Sequence, residues 1–425
     1  MPVHLRIMNK KARKMQTTLD DSFSLLGAGK LSLRSYLAQA NLDHFGSASE
    51  LWLIKESSHQ LSYLTHNFFR FFGKFPPPVA ERFIKELHDP ALGPVLDPMM
   101  GSGTTLIEAL RLGRASIGID INPIFRIVAK AKTTFIERPD VLKVLDRLRM
   151  FRSSDESLWK DFVPKDRNLD HWFFCETQHQ LAKLRYYIEI QSQEEKVDES
   201  IITLLKAAYA SLIRQASRAS RGMGRMFFDP AITPPDPFSL FERKINEMTA
   251  RISQLKNLSP KPIVPDQGSA KNTGLRSNSA GLVICHPPYF NLYRYSSIYR
   301  YELLWLGYDP KEIRKYEVKE GFKMGKAEKV EFYVKDMLDV LSELHRVLAS
   351  RCYCVLMIGD AIIKDERVCT TSILLNSLKH GDFRVEKIIV RVPKYTEASY
   401  AASQRRSKSK VGVKLPDHLV LLRKM

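Results

Sequence analysis

The stretch Val95-Leu96-Asp97-Pro98-Met99-Met100-Gly101-Ser102-Gly103-Thr104-Thr105 decides the fold. It is followed by apolar residues at helical spacing as far as Leu112, and Gly113 stops them, so the segment reads as strand, glycine loop and helix. A second strand is expected at Ala115–Ile119, ended by Asp120 and the turn Ile121-Asn122-Pro123, with helical spacing from there to Lys132. This is a βαβ unit. Outward from it, residues 150–260 are rich in charge and in helical spacing (Leu181, Leu184, Ile188; Leu204, Ala208, Leu212), with proline-rich breaks at 230–237 and 259–265. Strands are expected again at Leu282–Cys285, 352–358, 384–392 and 418–422, with a long helix at 331–349. The alternation predicts an α/β chain with a doubly wound, Rossmann-like sheet and a mostly helical insertion. The expected division is a helical N-terminal extension over 1–60, the first half of the sheet over 61–149, the insertion over 150–262 and the second half, with a basic C-terminal segment, over 263–425. Within the extension, LSLRSYLAQANLDHF fits one amphipathic helix.

The 425 residues carry 66 Lys+Arg against 47 Asp+Glu, a formal charge of +19, and 44% hydrophobic content excludes a wholly disordered chain. The longest apolar runs, such as Cys352–Ile358, fall short of the roughly 18 residues that cross a bilayer, so no membrane partner is expected. The N-terminus lacks the apolar core of a secretory signal, and the five cysteines form no C-x-x-C pair. A cytoplasmic protein without a zinc site is the expectation. The positive charge attracts polyanions, nucleic acid foremost. Candidate phosphate contacts are Arg405 and Arg406 in QRRSKSKVGVK, the basic first fourteen residues, and Arg218, Arg221 and Arg225 in SRASRGMGR. Solvated basic loops are the alternative for each.

Gly101 and Gly103 stand at the carboxyl end of the first strand, where a doubly wound sheet binds its ligand and glycine lets the backbone approach. There is no lysine after Gly103, as a Walker A loop needs, and no third glycine at the dinucleotide offset. Asp120, at the tip of the second strand, is placed to accept hydrogen bonds from a ribose diol, and Asp97, at the tip of the first, to receive an ammonium group. An adenosine ligand with an amine and no phosphate fits this set, and S-adenosylmethionine meets that description. A tight turn with two capping aspartates is the alternative.

His286-Pro287-Pro288-Tyr289 follows the strand that ends at Cys285. Two prolines stiffen the backbone and leave carbonyls free to accept. The exocyclic amino group of cytosine or adenine is a poor nucleophile, because its lone pair is delocalised into the ring. A carbonyl and a polar side chain that accept its two protons help the nitrogen rehybridise and attack a sulfonium methyl. Tyr289 would then stack on a base flipped out of a duplex. A structural Pro-Pro turn after a strand is the alternative.

With both motifs in view, the chain resembles the amino-methyltransferases that methylate DNA bases at exocyclic nitrogen. Their glycine motif, commonly DPFxGSGTT, is matched from Asp97 and Pro98 through Gly101, Gly103, Thr104 and Thr105, with Met99 in place of phenylalanine. Tyr63-Leu-Thr-His66 through Lys74-Phe75-Pro76 resembles the family's cofactor-side motif, and Gly118-Ile-Asp120-Ile-Asn122-Pro123 its ribose turn. The resemblance thus implies cofactor roles for His66, Lys74 and Asn122 and catalytic roles for His286, Pro287, Pro288 and Tyr289 in the (S/N/D)-P-P-Y tetrad. Asn291, Tyr295, Trp305-Leu-Gly307 and Gly359-Asp360-Ala361 read like members with the S-P-P-Y form. Histidine in the first tetrad position departs from the serine that goes with cytosine N4 and from the aspartate or asparagine that goes with adenine N6. The usual acidic segment before the tetrad is reduced to Gly268-Ser269-Ala270 with Asp266 upstream. The resemblance implies a class I methyltransferase fold, S-adenosylmethionine as cofactor, double-stranded DNA with a flipped base as substrate, no metal, and a companion restriction endonuclease as a candidate partner. Cytosine N4 is the leading target; adenine N6, structured RNA and a non-catalytic binding protein are the alternatives.

Overall fold

The computed structural model describes residues 33–45, 48–53, 59–153, 158–220, 226–290, 294–318, 329–363, 366–379, 381–392 and 416–425. Among them are strands β1 (Ala48–Leu53), β2 (Val95–Asp97), β3 (Ser116–Gly118), β4 (Ala280–Cys285), β5 (Leu348–Gly359), β6 (Ala361–Ile363), β7 (Glu366–Val368), β8 (Phe383–Val392) and β9 (Asp417–Lys424). With the helices between them, the chain is of the α/β class. It divides into two compact units, one of residues 56–282 and 294–317, the other of residues 1–55, 283–293 and 318–425, and β4 carries the chain across the boundary.

In the first unit the strand order is β4-β2-β3. β2 and β3 are parallel, with Val95 opposite Ser116 and Asp97 opposite Gly118, so both strands deliver their carboxyl ends at one level. Gly281 donates to the Pro94 carbonyl at 3.0 Å, and the Ile263 backbone bonds Ser116 and Gly118 on the far side of β3. The helix Thr104–Arg111 is buried from Thr104 to Leu110, and Pro123–Thr133 begins with proline at its first position behind an Asn122 cap. A Cβ on Gly118 would stand 2.5 Å from the Met100 sulfur and 2.6 Å from a Leu106 methyl. Gly118→Ala is therefore expected to lower stability by about 1–3 kcal/mol through overpacking, read as a shifted denaturant midpoint at constant slope.

The helical insertion belongs to the same unit. Glu199–Leu212 buries Ile201, Ile202, Leu204, Leu205, Ala208, Tyr209 and Leu212, too much of its circumference for one apolar stripe. It packs on Pro123–Thr133 on one side and on Pro237–Ile252 on another. The arrangement fuses the insertion to the helices beside the glycine loop.

In the second unit the order is β1-β8-β9-β5-β4. β1 runs parallel to β8, whereas β9 is antiparallel to both β8 and β5. The antiparallel β9 pairs directly with its predecessor β8, and antiparallel neighbours need no crossover helix. Leu33–Gln39 is helical as expected, but Ala48–Leu53, inside the segment read as helical, is a strand whose Glu50 pairs with Lys387 of β8 at 2.7 Å. The helix Val330–Val347 buries Tyr333, Met337, Val340, Leu341 and Leu344 and packs on β5. Among the described residues no helix is long and apolar enough to cross a membrane, and no group of three or more His, Cys, Asp or Glu could hold a metal ion.

Candidate active site

In the first unit, Gly101 and Gly103 have φ of 49° and 77°, left-handed values that suit glycine. The loop is tied to the second strand by the Gly101 N–H, which donates to Asp120 Oδ2 at 3.0 Å, and by the Met100 N–H, which donates to the Ile119 carbonyl at 3.1 Å. Asp120 Oδ1 accepts the Asn122 N–H at 2.8 Å. Each oxygen of Asp120 accepts one backbone donor, and a carboxylate oxygen has a second lone pair. Burial pushes the Asp120 carboxyl up to about 6 against those two N–H groups. Asp97 is 4% exposed and accepts the Met99 N–H at 3.2 Å. Burial drives its carboxyl up to about 7, although the Thr105 hydroxyl and the Met99 amide favour the ionised form. The Asn122 side-chain oxygen caps the next helix by accepting the Ile124 N–H at 3.0 Å. Its amide nitrogen is buried with no hydrogen-bond partner among the described residues. Two enclosed acids of raised pKa and an orphaned amide donor around a bare glycine backbone suit a ligand with a cation and a diol.

His66 and Lys74 lie against the helix that follows this loop, through Glu108. His66 is fully buried, with Nε2 2.8 Å from Glu108 Oε1, and burial lowers its imidazole to about 4, so it is neutral at pH 7. Glu108 also accepts from Tyr63 at 2.6 Å and from Arg111 at 2.7 Å. Lys74 donates to the His66 carbonyl at 2.7 Å, and burial lowers its ammonium to about 8. Sequence reasoning missed Lys132, which is buried and donates to the Ser102 carbonyl at 2.5 Å, propping the glycine loop from inside. Glu108, the partner of His66, was missed too, although an acid within the apolar run Leu106-Ile107-Glu108-Ala109-Leu110 was a signal for it. Phe71 was missed as well: a Cβ on Gly101 would stand 2.5 Å from its ring, which stacks on Tyr295 at 5.4 Å and meets Phe125 edge-on at 4.8 Å.

In the second unit, the six buried residues of β4 end at Cys285 and present the His-Pro-Pro-Tyr turn at its carboxyl end. The His286 and Tyr289 rings are 5.4 Å apart and nearly perpendicular, at 80°. Burial, with Arg391 nearby, lowers the His286 imidazole to about 3. The Tyr289 hydroxyl donates to Asp417 Oδ1 at 2.9 Å, and Asp417 Oδ2 accepts from Arg391. Asp360, in the Gly-Asp-Ala segment after β5, accepts from Arg367 at 2.9 Å and from the Thr371 N–H at 3.1 Å. Asp417 and Arg391 were not legible as site residues.

Of the candidate DNA contacts, Arg218 has its guanidinium between two rings, 4.7 Å from the Phe174 centroid and 4.5 Å from that of Phe228. Its backbone bonds Trp172 and Asp229. Arg221, Arg225, Arg405 and Arg406, the first fourteen residues and Asn291 lie outside the described residues.

Residues 9–130, which carry the glycine loop, both acids, His66 and Lys74, match the DNA methylase family of the N6/N4 type. The chain is 24% identical over 302 residues to the type II methyltransferase M.MvaI of Kocuria varians, covering 66% of this chain and 65% of that protein. It is 28% identical over 276 residues to M.BsoBI of Geobacillus stearothermophilus, covering 59% of this chain and 54% of the relative. M.MjaII of Methanocaldococcus jannaschii is 31% identical over 144 residues, 32% of this chain and 26% of its own length. The chain thus spans 65% and 54% of the first two relatives' lengths. Among solved structures, an rRNA methyltransferase from Streptomyces viridochromogenes aligns over 87% of this chain and 94% of its own at a TM-score of 0.31 and 11% identity. Over residues 9–130, which hold the glycine loop and the strand-end acids, the chain is thus similar to the N6/N4 DNA methylase family, and over the longer aligned stretches it is similar to type II methyltransferases.

Proposed function

We propose that the chain transfers a methyl group from S-adenosylmethionine to an exocyclic amino nitrogen of a base in double-stranded DNA, with cytosine N4 as the target. The observation that carries this reading is the His286-Pro287-Pro288-Tyr289 turn at the carboxyl end of β4, in a chain related to type II methyltransferases. S-adenosylmethionine, when bound, supplies a sulfonium methyl that is already activated. Asp97 would hold its ammonium group, Asp120 and the orphaned Asn122 amide its ribose hydroxyls, and Gly101, Gly103, Thr104 and Thr105 would line its approach. Lys132 holds the Ser102 carbonyl of the loop, and His66, itself held by Lys74 at its carbonyl, braces Glu108 of the helix that follows the loop.

On the acceptor side, the neutral His286 ring offers one nitrogen that accepts an amino proton, and a carbonyl of the proline turn accepts the other. Tyr289 compensates the flipped base for lost stacking. The choice of cytosine is supported by the downstream Tyr295, Trp305-Leu-Gly307 and Gly359-Asp360-Ala361, which accompany the S-P-P-Y form. The type II relatives support the further reading that the chain belongs to a restriction-modification pair, with a companion endonuclease that cuts the unmethylated site.

The test is transfer of labelled methyl from S-adenosylmethionine to unmethylated genomic DNA, followed by nucleoside mass spectrometry. N4-methylcytosine is expected. N6-methyladenine alone would overturn the base assignment, and the absence of any methylated base would overturn the activity. Neutralising Arg405 and Arg406 together is expected to weaken DNA binding about tenfold at 0.1–0.2 M salt and to flatten its salt dependence, with cofactor affinity unchanged. DNA affinity equal to wild type in a salt titration would remove these arginines from the interface.

A further inference from the structure

A stacking platform for a flipped base has to be in position before the base arrives, because an aromatic ring free to swing offers less pre-organised area. Three residues in one cross-strand row of the second unit seat Tyr289. Asp417, the first residue of β9, is in register with Arg391 on β8 and with Gly359, the last residue of β5. Gly359 gives the ring its floor: a Cβ there would stand 2.8 Å from Tyr289 Cε2 and 2.9 Å from Cδ2. Asp417 takes the hydroxyl on Oδ1 at 2.9 Å, and its other oxygen takes the Arg391 guanidinium. His286 closes the ring's side edge-on. Asp417 and Arg391 are 9% and 8% exposed. A buried ion pair adds little net stability over apolar residues of the same size, so its retention here calls for another reason, and fixing geometry is the best attested.

We infer that Asp417 is a positioning residue that tethers the Tyr289 hydroxyl and holds its ring ready for the target base, with Arg391 fixing the carboxylate. The inference rests on the reading of the His-Pro-Pro-Tyr turn as the acceptor site. Lengthening the row at either end would break it: Arg391 sets where Asp417 points, and the missing side chain at Gly359 lets the ring lie flat on the strand.

Steady-state methyl transfer by the full chain tests this with Tyr289→Phe, Asp417→Asn and the double variant. Tyr289→Phe deletes one oxygen and keeps the ring, so it is the variant least prone to misfold. A hydrogen bond to a charged group carries roughly a tenfold or larger effect. Tyr289→Phe is expected to lower kcat/KM for DNA about tenfold, with KM for S-adenosylmethionine unchanged. Asp417→Asn should lower it by a similar factor, and adding it to Tyr289→Phe should bring less than about a twofold further loss, because the tether is already gone. Tyr289→Phe at wild-type kcat/KM, or losses that multiply in the double variant, would overturn the tether while the wild type still methylates DNA. A wild type that transfers no methyl to DNA would instead overturn the acceptor-site reading and, with it, this role.

Discussion

Asp97→Asn is expected to weaken S-adenosylmethionine binding by about a hundredfold or more, because removing one partner of a buried charge pair costs about 3–5 kcal/mol. The geometry behind this is a carboxyl at the end of β2 that is almost fully enclosed and accepts the Met99 N–H. Its acidity carries a second, sharper expectation. Burial raises the folded carboxyl from the ordinary 3.8 to about 7, so below that value the ligand-free protein holds a proton on Asp97. An arriving ammonium group favours the ionised form, and binding must then expel that proton. Affinity therefore rises with pH from 5 to 7 and levels off above, with up to one proton released per ligand at the acid end. The stability sign runs the other way. A carboxyl that binds its proton more tightly folded than unfolded contributes stability below about 4 that is lost as pH rises through 7. Asp97→Asn, neutral and of the same shape, should thus melt above wild type at pH 8 while binding poorly. Titration calorimetry at pH 5 to 8 in two buffers of different ionisation enthalpy reads both effects. Affinity flat across that range, or an asparagine variant that binds within threefold of wild type, would remove the ammonium contact.

Much of this molecule is legible in its sequence. The strand, glycine loop and helix at 95–112 appear as β2 and Thr104–Arg111, and the later strands and the long helix fall within a few residues of their expected places. Those segments are decided by local pattern: apolar runs of strand length, glycines in left-handed backbone, proline at helix starts. β1 was not legible, since Ala48-Ser-Glu-Leu-Trp-Leu53 has no strong alternation and becomes a strand by pairing with β8, more than three hundred residues away in sequence. The antiparallel setting of β9 is likewise a property of its neighbours. The site shows the same division. Asp97, Asp120, His286 and Tyr289 announce themselves because their chemistry sits beside glycines and prolines at strand ends. Lys132, Glu108, Arg391 and Asp417 lie within ordinary helices and strands, and only tertiary contact brings them to the loop or to Tyr289. His66 and Lys74, matched by motif alone, stand on Glu108 and on the His66 carbonyl.

His286→Ala is expected to lower kcat by about a hundredfold with KM for S-adenosylmethionine unchanged, the size of effect seen when one pre-set hydrogen-bonding group is removed from a polar transition state. The amino nitrogen has to give up conjugation with the ring before it can attack, and a nitrogen acceptor held at 80° to the Tyr289 plane is positioned to draw its proton out of that conjugation. The same residue distinguishes orientation from general-base catalysis by its titration. Burial and the neighbouring Arg391 charge lower His286 to about 3, so it is neutral from about 3 upward and its acceptor is present throughout the working range. Activity should therefore show no inflection from His286 between pH 5 and 8, and a loss through its protonation only as pH falls toward 3. A base that weak takes a proton poorly at neutral pH, which suits a group that aligns the amine and leaves the proton to depart after the methyl has moved. His286→Ser, which restores an acceptor oxygen, should recover part of what alanine loses. If instead kcat showed a pKa of 6–7 in the wild type that vanished in His286→Ser, the imidazole would be working as the general base.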